Sequence, residues 1–129
     1  MVVEDYDDTR MLLKQGLEML GYSVLEASNG QEAVDIADRE HPDLILMDMG
    51  LPILNGWQAT HRLKTTAETR SIPIVALTAF VMAEDRRKCL AVGCDAFESK
   101  PVNFDRLLRT MQTLLSSSAE AISQATVGY

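Results

Sequence analysis

Two hydrophobic periods alternate five times along this chain, and that alternation limits its possible folds more than any other feature. The runs MVVE (1–4), SVLEA (23–27), DLILM (43–47), PIVALT (73–78) and DAFES (95–99) read as strands. After each of them, apolar residues recur at the spacing of one helix face. Leu13, Leu17 and Leu20 share a face of the first helix; Asp7 or Asp8 is expected to cap its start and Gly21 to close it. Asn29-Gly30 turns the chain into a second helix with Ala33, Ile36 and Ala37 inward. A third begins near Trp57, which covers its start, and carries Ala59 and Leu63. A short fourth helix runs from about Ala83 to Gly93. The last starts after Asn103 and has the clearest stripe: Phe104, Leu107, Leu108, Met111, Leu114 and Leu115.

Repeated strand–helix alternation implies a mostly parallel sheet with helices on both faces. The runs at 43–47 and 73–77 are apolar throughout, as strands covered on both sides require. Pro73 opens its strand, where a missing N–H spares the ladder. A length of 129 residues suits one domain. We expect it to span 1–116, with 117–129 as a frayed C-terminal extension or flexible tail.

Charge and cysteine content narrow the function. Nineteen acidic residues against 12 basic ones give a net charge of −7. That disfavours direct nucleic-acid or anionic-membrane binding, which needs clustered Lys and Arg. Cys89 and Cys94 have no second Cys/His cluster beside them, so a zinc site is not expected and two buried thiols are. No apolar stretch reaches the length of a membrane span and no signal peptide is visible, so the chain reads as cytoplasmic.

Ligands of open α/β sheets bind outside the carboxyl ends of the strands. There the first strand delivers Glu4 and Asp5, the third Asp48, the fourth Thr78, and the fifth Lys100 just after Ser99. The second brings only Ala27 and Ser28. Three carboxylates on one edge repel one another unless a cation joins them, and a hard divalent ion such as Mg²⁺ suits oxygen ligands. Thr78 can donate a hydrogen bond and Lys100 supplies a compact positive charge. Metal, hydroxyl and ammonium around one carboxylate make a phosphoryl site. Asp48 therefore reads as a nucleophile whose product is an aspartyl phosphate. Each residue also has a plainer reading: Asp7 and Asp8 as acids favouring a helix start, Thr78 as a β-former, Lys100 as a surface lysine. His41 reads as a loop residue. His61, in HRLK, faintly resembles the phosphohistidine motif of all-helical phosphotransfer domains, but the alternating pattern makes it a surface helix residue.

Taken together, VVED, LILMDMGLPILNG, IVALTA and ESKPV resemble the receiver domains of two-component response regulators over about residues 1–116. Thirty residues separate Asp48 from Thr78 and 22 separate Thr78 from Lys100, as in that family. The resemblance implies a flavodoxin-like five-stranded parallel sheet of order 2-1-3-4-5 with five helices. It implies Asp48 as phosphoacceptor, and Mg²⁺ held by Asp5 directly, by Glu4 directly or through water, by Asp48 and by the Gly50 carbonyl. Thr78 and Lys100 would hold phosphoryl oxygens, and Lys100-Pro101 matches a cis peptide. Phe97 stands at the aromatic switch position. Coupling would run from Thr78 and Phe97 to the face of the fourth helix, fifth strand and fifth helix, where an effector protein would bind. The donor would be a histidine kinase or histidine phosphotransfer protein. With no output domain in the chain, the implied roles are chemotaxis-type effector, relay intermediate or excised receiver.

Departures carry expectations of their own. Fewer residues precede VVED than is usual, which is expected to cost stability. Gly50 and Phe80 take positions that often orient the hydrolytic water, and neither can; a long-lived phosphoryl group is expected. Ala79 is small and leaves the site open to a donor. Two rival classes fare worse. A haloacid-dehalogenase-type phosphatase needs a general acid two residues after the nucleophile, where Gly50 stands. A flavodoxin-like cofactor binder needs a phosphate-cradling first loop, and EDYDDTR is acidic.

Overall fold

The computed structural model describes the backbone of residues 1–79 and 83–127 and the side chains of 1–79 and 84–116. Strands and helices alternate as β1 (Val2–Val3), α1 (Asp7–Met19), β2 (Glu26–Ala27), α2 (Gly30–Glu40), β3 (Ile45–Asp48), α3 (Gly56–Thr65), β4 (Ile74–Thr78), α4 (Ala83–Val92), β5 (Ala96–Ser99) and α5 (Phe104–Val127). All pairings are parallel and the strand order is 2-1-3-4-5. The expected fold is the observed one.

The apolar runs are explained by the two-residue period of a strand. Val3, Ile45, Met47, Ile74 and Ala76 enter one buried cluster, with Ala33 and Ala37 of α2, Ala59 and Leu63 of α3 and Cys89 of α4. Val2, Leu46, Val75 and Leu77 enter the other, with Leu13 and Leu17 of α1 and Leu107 and Met111 of α5. Every residue of the central strands is therefore buried, and none of these positions tolerates a polar group without a partner.

Two local expectations are corrected. Tyr6, not Asp7 or Asp8, is the N-cap of α1, and it makes no side-chain cap bond; both aspartates lie in the first turn, where they face the positive end of the helix dipole. β2 is shorter than SVLEA suggests: it pairs only through Glu26 and Ala27, opposite Val2 and Val3 of β1. The α5 backbone stays helical to Val127, beyond the end of the apolar stripe. Gly21 does close α1: its φ of 93° and the bonds Gly21 N–H to Glu18 O and Tyr22 N–H to Leu17 O form a Schellman stop. The Met1 amino group donates to Leu44 O at 2.7 Å and Leu46 N–H donates to Met1 O at 2.8 Å, so the β1–β3 ladder begins at the first residue. Among the described residues, no helix is long and apolar enough to cross a membrane.

Candidate functional site

The carboxyl edge of the sheet brings together residues that are up to 96 positions apart in the chain. One oxygen from each of Glu4, Asp5 and Asp48 lies within 4.8 Å of the others. Lys100 Nζ donates to Glu4 Oε2 at 3.0 Å and lies 3.2 Å from Asp48 Oδ1. Glu4 and Asp48 are buried, whereas Asp5 faces solvent. Three acids thus meet one ammonium, leaving the cluster short of positive charge. Its donors are hard oxygens, the set that suits Mg²⁺.

Each side chain is placed by local structure. Glu4 directly follows β1, and its N–H donates to Ala27 O at 3.0 Å, one residue beyond the strand. Asp48 closes β3 opposite Leu77, and the Gly50 N–H donates to Asp48 Oδ1 at 3.1 Å. Thr78 is buried one residue past that pair, and its carbonyl accepts from Lys100 N–H at 2.8 Å. The Lys100–Pro101 peptide is cis. Gly50 is exposed, and a Cβ there would meet Asp48 Oδ1 at an ordinary 3.8 Å. The loop then turns into α3 through a capping box between Asn55 and Gln58.

The electrostatics follow from this packing. Burial pushes the Glu4 carboxyl above its ordinary range, and the nearby Asp48 charge adds to that, while the bond from Lys100 opposes both. For Lys100 burial pulls downward, but its contacts with Glu4 and Asp48 together outweigh burial and raise it. The lysine is charged throughout the physiological range, whereas Glu4 holds a proton more tightly than a free glutamate. A divalent cation held by these carboxylates would compete with that proton for the same oxygens, so its affinity should fall on acidification. Calorimetric titration with Mg²⁺ at successively lower pH checks this; an affinity that does not fall as the pH drops contradicts it.

Phe97 is half-buried on β5, packed against the core, with the Arg86 guanidinium of α4 at 5.7 Å from its ring centre. Trp57 at the start of α3 lies under Lys88 Nζ at 4.5 Å, a tie to α4 that the sequence did not suggest. His61 is an exposed residue of α3, and His41 caps the end of α2 with φ 47°. Cys89 and Cys94 are buried and free. Phe80 lies outside the described residues. Sequence reasoning also missed Arg10, which donates to the Glu4 carbonyl at 2.8 Å and to Asp7 at 2.6 Å and thereby braces the acidic loop. A lone arginine one turn into an acid-led helix was the available signal.

The comparisons agree with this geometry. A family model described as the response regulator receiver domain matches residues 1–112. The polar-differentiation response regulator DivK of Brucella ovis is 39% identical over 118 residues, covering 92% of this chain and 96% of the relative. The receiver domain of the sensor histidine kinase PA1611 from Pseudomonas aeruginosa, solved with a magnesium ion coordinated in its active-site cleft, is 36% identical with a TM-score of 0.83, over 89% of this chain and 94% of that one. The signal receiver domain of a histidine kinase from Syntrophus aciditrophicus is 34% identical with a TM-score of 0.83, covering 90% and 88% of the two chains. A five-stranded parallel sheet whose carboxyl edge gathers acids, a threonine and a lysine, and a family match over residues 1–112, place this chain in the response regulator receiver domain family of two-component signalling.

Proposed function

We propose that this receiver takes a phosphoryl group from a phosphohistidine onto Asp48, with Mg²⁺ at Glu4, Asp5, Asp48 and the Gly50 carbonyl. The observation that carries the reading is Lys100 lying between Glu4 and Asp48, with Asp5 within reach of both. The phosphorus–nitrogen bond of the donor imidazole breaks as a phosphorus–oxygen bond forms to Asp48. The metal would supply charge neutralisation at the phosphoryl oxygens. The chain's own residues do the rest. Gly50 N–H orients Asp48, Lys100 offers its ammonium to a second oxygen, and Thr78 donates its hydroxyl.

The domain regulates; it turns over no separate substrate. Phosphorylation would shift a two-state equilibrium through Thr78 and Phe97 to the face built by α4, β5 and α5, where an effector protein binds in the cytoplasm. Residues 1–116 would be sufficient for this, with 117–129 as an appendage. Gly50 offers no side chain to orient a hydrolytic water, which supports a long-lived phosphoryl group. Incubation with phosphorylated histidine kinases of the same genome and Mg²⁺ should transfer one phosphoryl group to the protein, and the absence of transfer from all of them would sink the reading.

Lys100→Ala gives a sharper check on roles. Without Mg²⁺ it leaves Glu4 and Asp48 without their ammonium partner, at about 1–2 kcal/mol after discounting for the lysine's partial exposure. Saturating Mg²⁺ should restore that loss, and Mg²⁺ affinity should hold or rise, while effector binding no longer responds to phosphorylation. Urea denaturation with and without Mg²⁺ reads the first effect. Lost metal affinity in the variant would show that the lysine's role is assigned wrongly.

A further inference from the structure

The last turn of α4 ends in a Schellman stop that carries two cysteines. Gly93 has φ 100°, its N–H donates to Leu90 O at 3.1 Å, and Cys94 N–H donates to Cys89 O at 2.9 Å. That geometry sets side chains 89 and 94 against each other, a contact that any apolar pair could make. Here both are thiols, buried and free, and they hydrogen-bond to one another. The turn between them is pinned. The Lys64 stem packs on Gly93, and Lys64 Nζ donates to Asp95 Oδ2 at 2.8 Å. Asp95 Oδ2 also accepts from Ile74 N–H at 2.8 Å. The two sulfurs are thus held together by contacts on both sides of the turn.

Two further observations bear on their chemistry. A cavity of about 320 Å³ is lined by both cysteines together with Leu90 and Phe97, and it offers a small reagent a way to the sulfurs. The Thr60 hydroxyl of α3 is fully buried, has no hydrogen-bond partner and lies where it favours a Cys94 thiolate. Burial pushes both thiols up, Cys94 to about 12. At Cys89 the bond from Cys94 opposes that push, so Cys89 is the first to react. We propose that Cys89 and Cys94 are a modification site for peroxide, which closes them into a reversible intramolecular disulfide. The Cys89 thiolate attacks the peroxide; an S–O bond forms, the O–O bond breaks and water leaves. The Cys94 sulfur then displaces the hydroxyl of the sulfenic acid as a second water, and the S–S bond forms. Two thiols lose two electrons and two protons, and one peroxide becomes two waters. The bridge fastens the end of α4 to the residues leading into β5 and does not depend on phosphorylation of Asp48.

The test treats the full chain with hydrogen peroxide and then blocks the remaining thiols under denaturing conditions. Mass spectrometry follows the tryptic span 89–106, which holds both cysteines and no methionine. That span should lose about 2 Da, carry no blocking group and regain both thiols with dithiothreitol. The oxidised protein should melt about 5–8 °C above the reduced one, as a short loop closed without strain predicts. Dithiothreitol should remove that rise, and because it leaves methionine sulfoxide in place, the reversible part belongs to the bridge. Cys89→Ala and Cys94→Ala should show no rise. An oxidised protein that melts no higher than the reduced one overturns the inference. So does a span that gains oxygen in place of a bridge, a disulfide that links two chains, or thiols that stay free while the methionines oxidise.

Discussion

Asp48→Asn is expected to abolish labelling of this protein by acetyl phosphate and Mg²⁺, by at least about a thousandfold. The amide has nearly the shape of the carboxylate but no anionic oxygen to attack phosphorus. Its carbonyl can still accept from Gly50 N–H, and Lys100 keeps Glu4 as a partner, so the fold survives the change. The effect is then chemical. Phosphoryl content of the intact protein by mass spectrometry, with base treatment to identify an acyl phosphate, reads it directly. Base-labile label that persists in the variant would move the phosphoacceptor elsewhere and dismantle the site assignment.

The architecture was legible because burial on both faces leaves a plain mark. Only strands whose odd and even residues enter different cores are apolar at every position, and 44–47 and 74–77 are such runs. The site was legible because Asp48 and Thr78 stand at the ends of such runs, and Glu4, Asp5 and Lys100 follow the strands on either side, so that the parallel sheet delivers them to a shared edge. What stayed hidden depends on backbone detail or on residues distant in sequence. Asp7 looked like a cap, yet the chain enters α1 through Tyr6, and Asp7 accepts from Arg10 instead. The SVLEA run promised a longer strand than Glu26–Ala27, but strand length depends on the partner as well as on the run itself. Nothing local signals that Ile53 adopts φ 68°, since a β-branched residue is among the least suited to it. The closeness of Gly56 to Asp48 is likewise a tertiary fact, eight positions away along the chain.

That closeness leads to a large expected effect on stability. A Cβ at Gly56 would lie 2.2 Å from the Asp48 carbonyl oxygen and 2.5 Å from Met49 Cα. Both are backbone atoms, so no rotamer change relieves the clash. Nor is α3 free to retreat, because its start is tied by the Asn55–Gln58 capping box and Ala59 and Leu63 below it are fully packed. Gly56→Ala must therefore push α3 and the end of β3 apart by about 1 Å, at a cost of about 3 kcal/mol, the upper end of what overpacking usually does. Against a typical total of roughly 5–15 kcal/mol this is a large fraction. The same shift displaces the Asp48 backbone, and a nucleophile misplaced by that much loses about a hundredfold in rate, so labelling by acetyl phosphate should fall even at temperatures where the variant stays folded. Gly50→Ala is the matched control. Its Cβ would meet only Asp48 Oδ1, at 3.8 Å, so urea denaturation should place it within about 0.5 kcal/mol of the original protein. Should Gly56→Ala prove equally benign in stability and in labelling, the proposed phosphoacceptor would not be held by contact between β3 and the start of α3, and the rigid placement of Asp48 would need another source.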